Sequence, residues 1–121
     1  VIYLTPTRCI FKLRMEIIVS ENFVRLPMHI ELGLYRVCME LVNNTIRHEQ
    51  ASKINIQLLQ KQDRFLLVYS DNGIGLAAGN TKKGIGERSI ETRIHALNGT
   101  LTRQNATAGG IEVKAEIPIP V

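Results

Sequence analysis

Glu40, Asn44 and Arg47 fall within an arc of roughly 60° on a helix that advances about 100° per residue. An acid, an amide and a cation would then share one helix edge, with His48 following directly. The edge borders an apolar stripe of Ile30, Leu34, Val37 and Leu41, widened by Cys38, Val42 and Ile46, as expected of a helix packed on a sheet. Polar groups at such a border sit half buried, where charge-assisted bonds and metal contacts are stronger than in open water. Two glycine turns follow, Asp71-Asn72-Gly73-Ile74-Gly75 and Gly84-Ile85-Gly86. A carboxylate at a strand end, beside residues without side chains, lets a flat ligand lie against backbone while the acid accepts a bond from an exocyclic amine. Free amides at a helix start, with no Cβ in the way, favour phosphate oxygens, and Lys82 and Lys83 add cations just upstream. The three segments together read as a nucleotide pocket.

Each segment has a plainer reading when taken alone. Asn-Gly occurs in ordinary hairpins, and glycine before a helix can serve only a tight turn. A lysine pair in a loop is usually solvated, and an acid and an amide at i, i+4 can simply be an exposed helix face.

The elements that must position these groups follow from periodicity. Phe11 to Val19 alternates Phe11, Leu13, Met15 and Ile17 against charged residues, giving a half-buried strand. After a turn at residues 20–22, Pro27 precedes a long helix over about 28–48, proline being tolerated near a first turn. Lys53 to Gln60 alternates Ile54, Ile56 and Leu58 with Asn55 and Gln57, a second strand. Arg64 to Ser70 returns as a third, apolar on both faces and therefore central. Residues 76–83 have no periodicity and read as a mobile loop. A helix then starts at Gly86 or Glu87, buries Ile90, Ile94 and Leu97, and ends at Asn98-Gly99, with the glycine left-handed. Thr100 to Asn105 and Ile111 to Ile117 form a last hairpin around residues 106–110, with Ile111, Val113, Ala115 and Ile117 facing the core. Hairpin pairs separated by helices predict an α+β fold, a two-layer sandwich of a mixed sheet covered on one face by helices.

Length allows one domain and not two. Residues 1–10 remain unassigned, because Thr5-Pro6-Thr7 argues against a helix there, and the domain is placed over 11–121. No apolar run approaches the roughly 18 residues of a membrane span. With no signal sequence before Val1, the chain reads as a soluble, monomeric excerpt of a longer protein. Cys9 and Cys38 make no disulfide framework and suit a reducing cytosol. The net charge of +4 favours anionic partners only weakly. Its basic residues are scattered and aromatic residues are few, so direct nucleic-acid binding is not expected.

The conjunction of boxes resembles the catalytic and ATP-binding domain of bacterial sensor histidine kinases, within the gyrase, Hsp90, histidine kinase and MutL superfamily. Glu40-x-x-x-Asn44-x-x-Arg47-His48 looks like the asparagine box, Asp71-x-Gly73-x-Gly75 the first glycine box and Gly84-x-Gly86 the second. Leu34-Tyr-Arg36, Glu91-Thr-Arg-Ile94 and Ala96-Leu-Asn-Gly-Thr-Leu101 look like the short-lid kinases paired with helix-turn-helix response regulators. The resemblance runs from about Phe11 to Pro118 and implies a Bergerat-type ATP-binding fold. It also implies roles: Asn44 on a Mg²⁺ that bridges the ATP phosphates, Asp71 accepting from the adenine amine, and Glu40 orienting or deprotonating the attacking group. Arg47 would replace a common lysine near the phosphates, and residues 76–83 would be the ATP lid. His48, Gly73, Ile74, Gly75, Lys82, Lys83, Gly84, Ile85 and Gly86 complete the expected ATP-binding set.

Two departures from the pattern stand out. Glu87 places a negative charge where an apolar residue is usual, which should weaken ATP binding unless it favours the new helix's N-terminus. Ile111 stands where threonine is common, removing a hydroxyl that helps the pocket. The phosphoacceptor is absent: His29, His48 and His95 all lie within the ATP domain's own elements. The expected activity is thus transfer of the γ-phosphate to a histidine on a separate upstream dimerisation domain. That domain and a DNA-binding response regulator are the partners, and the parent is a cytoplasmic-membrane sensor. The alternatives are a catalytically weak ATP-binding and docking module, or an anti-sigma-factor-like serine kinase.

Overall fold

The computed structural model describes residues 2–4, 14–20, 24–49, 51–73, 85–106 and 109–119. Strands β1 (Ile2–Leu4) and β2 (Arg14–Val19) precede helix α1 (Met28–Asn44), which runs into a π-helical turn at Thr45–Glu49. Strands β3 (Lys53–Gln60) and β4 (Arg64–Asp71), helix α2 (Ile85–Ala96) and strands β5 (Thr100–Asn105) and β6 (Ile111–Pro118) complete the chain. The sheet order is β1-β2-β3-β4-β6-β5. Among neighbouring strands only β2 and β3 are parallel, joined through the crossover helix α1; α2 likewise joins β4 to β5, but β6 lies between them, and the other neighbours are antiparallel.

The expected α+β sandwich is what forms. Alternation puts Ile54 and Ile56 of β3, Phe65, Leu67 and Tyr69 of β4, and Ile111, Val113, Ala115 and Ile117 of β6 on one buried face. Ile30, Leu34, Val37 and Leu41 of α1 and Ile90 and Ile94 of α2 join them in a single core. β4 lies between β3 and β6, in line with its two apolar faces. The opposite sheet face is mostly polar, with Leu66 and Val68 of β4 as its apolar centre, and carries the Arg64–Glu116 ion pair.

Four expectations change. Residues 2–4, within the segment left unassigned, pair with β2 in the register Ile2↔Ile17. Three residues carry no readable period, and their conformation comes from the edge that β2 offers. The long helix keeps α geometry only to Asn44, then widens into the π turn. Ile46 does not widen the buried stripe and is 48% exposed, since it lies nine residues, or half a turn in angle, from Val37; Thr45 is buried in its stead. At the end of α2 the left-handed residue is Asn98 (φ 60°) and not Gly99. Gly99 N–H donates to Ile94 O at 2.9 Å and Asn98 N–H to His95 O at 2.9 Å, the double bond pattern of a Schellman cap. Gly99 is required for a different reason, because a Cβ there would stand 2.8 Å from the Glu116 carbonyl oxygen. Residues 11–13 of the expected first strand, the 20–22 turn beyond Ser20, and Cys9 lie outside the described residues.

Candidate nucleotide site

The register decides which ends meet. α1 enters near the β2 end at Val19↔Leu58 and finishes where β3 begins at Lys53, the sheet end at which β4 stops with Asp71. α2 delivers the chain to Thr100, opposite Glu116, at the other end of the sheet. Its close of helix also meets the start of α1, where a Cβ on Gly33 would lie 3.0 Å from Leu97 Cδ1. The helices therefore run antiparallel, and the first residues of α2 point back toward Asp71 and the end of α1. Segments remote in sequence thus face one sheet end.

Asp71 is 5% exposed on the helix-covered face, two residues after Tyr69 on the same side of β4. A buried carboxylate is costly unless its oxygens are satisfied. Here Oδ1 accepts from Gly73 N–H at 3.0 Å and from Ile111 N–H at 3.2 Å. Oδ2 accepts from the Thr45 hydroxyl at 3.0 Å. Thr45, 2% exposed, is also hydrogen-bonded to the Tyr69 phenol, which reaches Leu41 O at 3.2 Å. Asn72 turns away from the carboxylate and pins the start of β3. Its Oδ1 accepts from the amides of Ser52 and Lys53, both at 2.9 Å, and its Nδ2 donates to Ser52 Oγ at 2.9 Å. The β5–β6 tip closes the other side of Asp71. Gly110 has φ 86°, and a Cβ on it would stand 1.9 Å from the Asp71 carbonyl oxygen.

Of the expected site residues, Glu40 and Asn44 are half-buried on α1, on the side of Gly33 that faces α2. Asn44 directly precedes the threonine bonded to Asp71, so the asparagine box and the first glycine box adjoin. Arg47 is exposed, and its Nε donates back along the helix to Asn43 O at 3.4 Å. His48 lies in the π turn; Ile85 and Gly86 open α2, one residue or two earlier than expected, with Glu87 next. Gly73 contributes its amide to Asp71. Ile74, Gly75, the expected lid at 76–83 with Lys82 and Lys83, and Gly84 lie outside the described residues.

Thr45, Tyr69 and Gly110 were missed as parts of the site. The sequence does place Tyr69 in step with Asp71 on one strand face. Nothing local marks Thr45, whose partners are 24 and 26 residues away.

Residues 29–121 match the family described as histidine kinase-, DNA gyrase B-, and HSP90-like ATPase. The chain is 42% identical over 69 residues to the signal transduction histidine-protein kinase/phosphatase UhpB of Salmonella typhimurium, covering 57% of this chain and 14% of that protein. It is 30% identical over 96 residues to the signal transduction histidine-protein kinase/phosphatase DegS of Brevibacillus brevis, covering 78% of this chain and 25% of that protein. The chain thus spans a quarter or less of these relatives. Among solved structures it is similar to the Acinetobacter baumannii histidine kinase AdeS, with a TM-score of 0.72 and 22% identity over 88% of this chain and 54% of that one. The histidine kinase domain of the E. coli osmosensor EnvZ gives a TM-score of 0.70 and 20% identity over 88% of this chain and 76% of that one. At such identities the likeness concerns the fold; the family match rests on the sequence from His29 to the last residue, and the chain belongs to the histidine kinase-, DNA gyrase B-, and HSP90-like ATPase family.

Proposed function

We propose that this chain binds ATP with Mg²⁺ and donates the γ-phosphate to a histidine on a separate helical dimerisation domain of its parent protein. The observation that carries the reading is the buried Asp71 carboxylate, fixed by two backbone amides and a hydroxyl at the sheet end reached by Glu40 and Asn44. Asp71 accepts from the adenine amine. Gly73, Ile74 and Gly75 give the base a surface without bulky side chains at its glycines. The first residues of α2, Ile85 and Gly86, present amides to phosphate oxygens, and Gly84, Lys82, Lys83 and His48 are proposed to bind the same ligand. Arg47 adds positive charge near the phosphates.

The donor set suits a hard cation. Asn44 offers a half-buried amide oxygen, and among the described residues no group of three His, Cys, Asp or Glu side chains could hold a metal without other ligands. Mg²⁺ would take its remaining ligands from phosphates and water. When bound, ATP supplies the transferable phosphoryl group, and Mg²⁺ would neutralise the charge that develops on it. In the transfer, the bond from the γ-phosphorus to the bridging oxygen breaks, leaving ADP, and a bond to the incoming imidazole nitrogen forms. Glu40 orients that imidazole and takes up its proton. A DNA-binding response regulator is the proposed next acceptor. No helix among the described residues is long and apolar enough to cross a membrane, so attachment to a cytoplasmic-membrane sensor would run through other parts of the parent.

Calorimetric titration with a non-hydrolysable ATP analogue and Mg²⁺ tests the binding step. Saturable heat that disappears in Asp71→Ala is expected, and no heat at millimolar ligand would overturn it. Transfer is tested on the longer parent protein with labelled ATP. Acid-labile phosphate is expected, whereas acid-stable phosphoserine on a partner would replace the histidine reading.

A further inference from the structure

We propose that Thr45 is a positioning residue for base recognition: its Oγ1 holds Asp71 so that one carboxylate lone pair faces the exocyclic amine of the nucleotide. This rests on the nucleotide reading of the site given above.

Hydrogen-bond arithmetic carries the inference. A carboxylate has about four acceptor positions and no proton to give. Among the described residues, Oδ1 takes two donors, the amides of Gly73 and Ile111, and is full. Among the described residues Oδ2 takes one donor, Thr45 Oγ1 at 3.0 Å, which leaves its second acceptor position for the exocyclic amine. Thr45 has a single hydroxyl proton. Since the carboxylate can only accept, that proton goes to Asp71, and the Thr45–Tyr69 bond must be donated by the phenol. The phenol proton is shared with Leu41 O at 3.2 Å, a carbonyl that already accepts from the Thr45 amide. The result is a one-way relay from Tyr69 to Thr45 to Asp71, in which each donor is polarised by the next acceptor. Thr45, Tyr69 and Asp71 are all at most 5% exposed, so water does not compete for these bonds.

Two features of the fold build the device. Ile111 sits beside Asp71 across the β4–β6 pair and contributes its amide but no hydroxyl. Thr45 is the first residue of the π turn, where the helix widens directly over the end of β4. A residue with the same shape and no hydroxyl would remove the donor on Oδ2 and let the carboxylate tilt about its two Oδ1 bonds, away from the ligand.

The test compares two probes on the same protein: a non-hydrolysable ATP analogue, and the corresponding purine riboside triphosphate, which lacks the exocyclic amine. Thr45→Val is expected to weaken the first about tenfold, which corresponds to about 1.4 kcal/mol, and to leave the second unchanged. Thr45→Ser should bind both as wild type does. Tyr69→Phe should lose affinity for the amine-bearing probe severalfold, and add no further loss when combined with Thr45→Val. Ile111→Thr placed in the Thr45→Val background should restore part of the binding. Equal weakening of both probes in Thr45→Val, or failure of Thr45→Ser to rescue, would overturn the positioning role while leaving the nucleotide reading intact. A wild-type chain that binds neither probe would overturn the nucleotide reading itself, and the role of Thr45 with it.

Discussion

Gly109 and Gly110 provide a matched pair for the contact that closes the site. Both have φ in the left-handed region, 95° and 86°. Replacing either by alanine costs about 1–2 kcal/mol from that conformation. The gain from a less flexible unfolded chain is the same for both and cancels in the comparison. Their surroundings differ. A Cβ at Gly109 meets nothing within 4 Å, whereas one at Gly110 would lie 1.9 Å from Asp71 O, 2.6 Å from its carbonyl carbon and 2.7 Å from Oδ1. The two nearest are backbone atoms of a central strand, which no rotamer change can move. Overpacking of this kind adds about 1–3 kcal/mol. Gly110→Ala should therefore cost roughly 2–5 kcal/mol in all, and Gly109→Ala roughly 1–2. At about 4 °C per kcal/mol for a domain of this size, thermal unfolding followed by circular dichroism should separate the two by 4 °C or more, on the order of the steric term alone. Relief of the overlap must push the β5–β6 tip off Asp71 and strain the Ile111 N–H bond. Gly110→Ala should then also lose ATP-analogue affinity that Gly109→Ala keeps. Equal midpoints for the two variants, with equal affinity, would refute the reasoning.

Leu67, fully buried at the centre of β4, should cost about 2–5 kcal/mol when cut to alanine, measured by urea unfolding; a loss under about 1 kcal/mol would contradict the assigned core. Burial pushes the Cys38 thiol up to about 11, because the thiolate is penalised next to the core. The folded value exceeds the unfolded one, so this contribution to stability is whole below about pH 8.5 and is lost as pH rises toward 11. In a Cys9→Ser background, Cys38 should react with a disulfide reagent at pH 8 at least about 100-fold more slowly in the native chain than in urea, and comparable rates would refute it.

The chain's own periodicities determined most of its architecture. Period-two alternation in 53–60 and 111–117, the apolar run of 64–70 and the stripe of Ile30, Leu34, Val37 and Leu41 are local signals, and the structure follows them nearly residue for residue. The segments around Asn44, Asp71 and Gly86 pointed to the family for a related reason, since residue type and order along the chain carry that resemblance. Sequence did not disclose what holds Asp71. Thr45 and Gly110 become neighbours of that carboxylate, and Thr45 a partner of the Tyr69 phenol, only when α1, β4 and the β5–β6 tip converge. Asn98 and Gly99 divide in the same way. Their presence after α2 announced a helix end, but which of the two went left-handed depended on how closely β6 approached, because the close contact at Gly99 excludes a Cβ while Asn98 has room to take positive φ. Elements arise from interactions a few residues apart, whereas hydrogen-bond partners of a buried charge are decided by packing across the whole core.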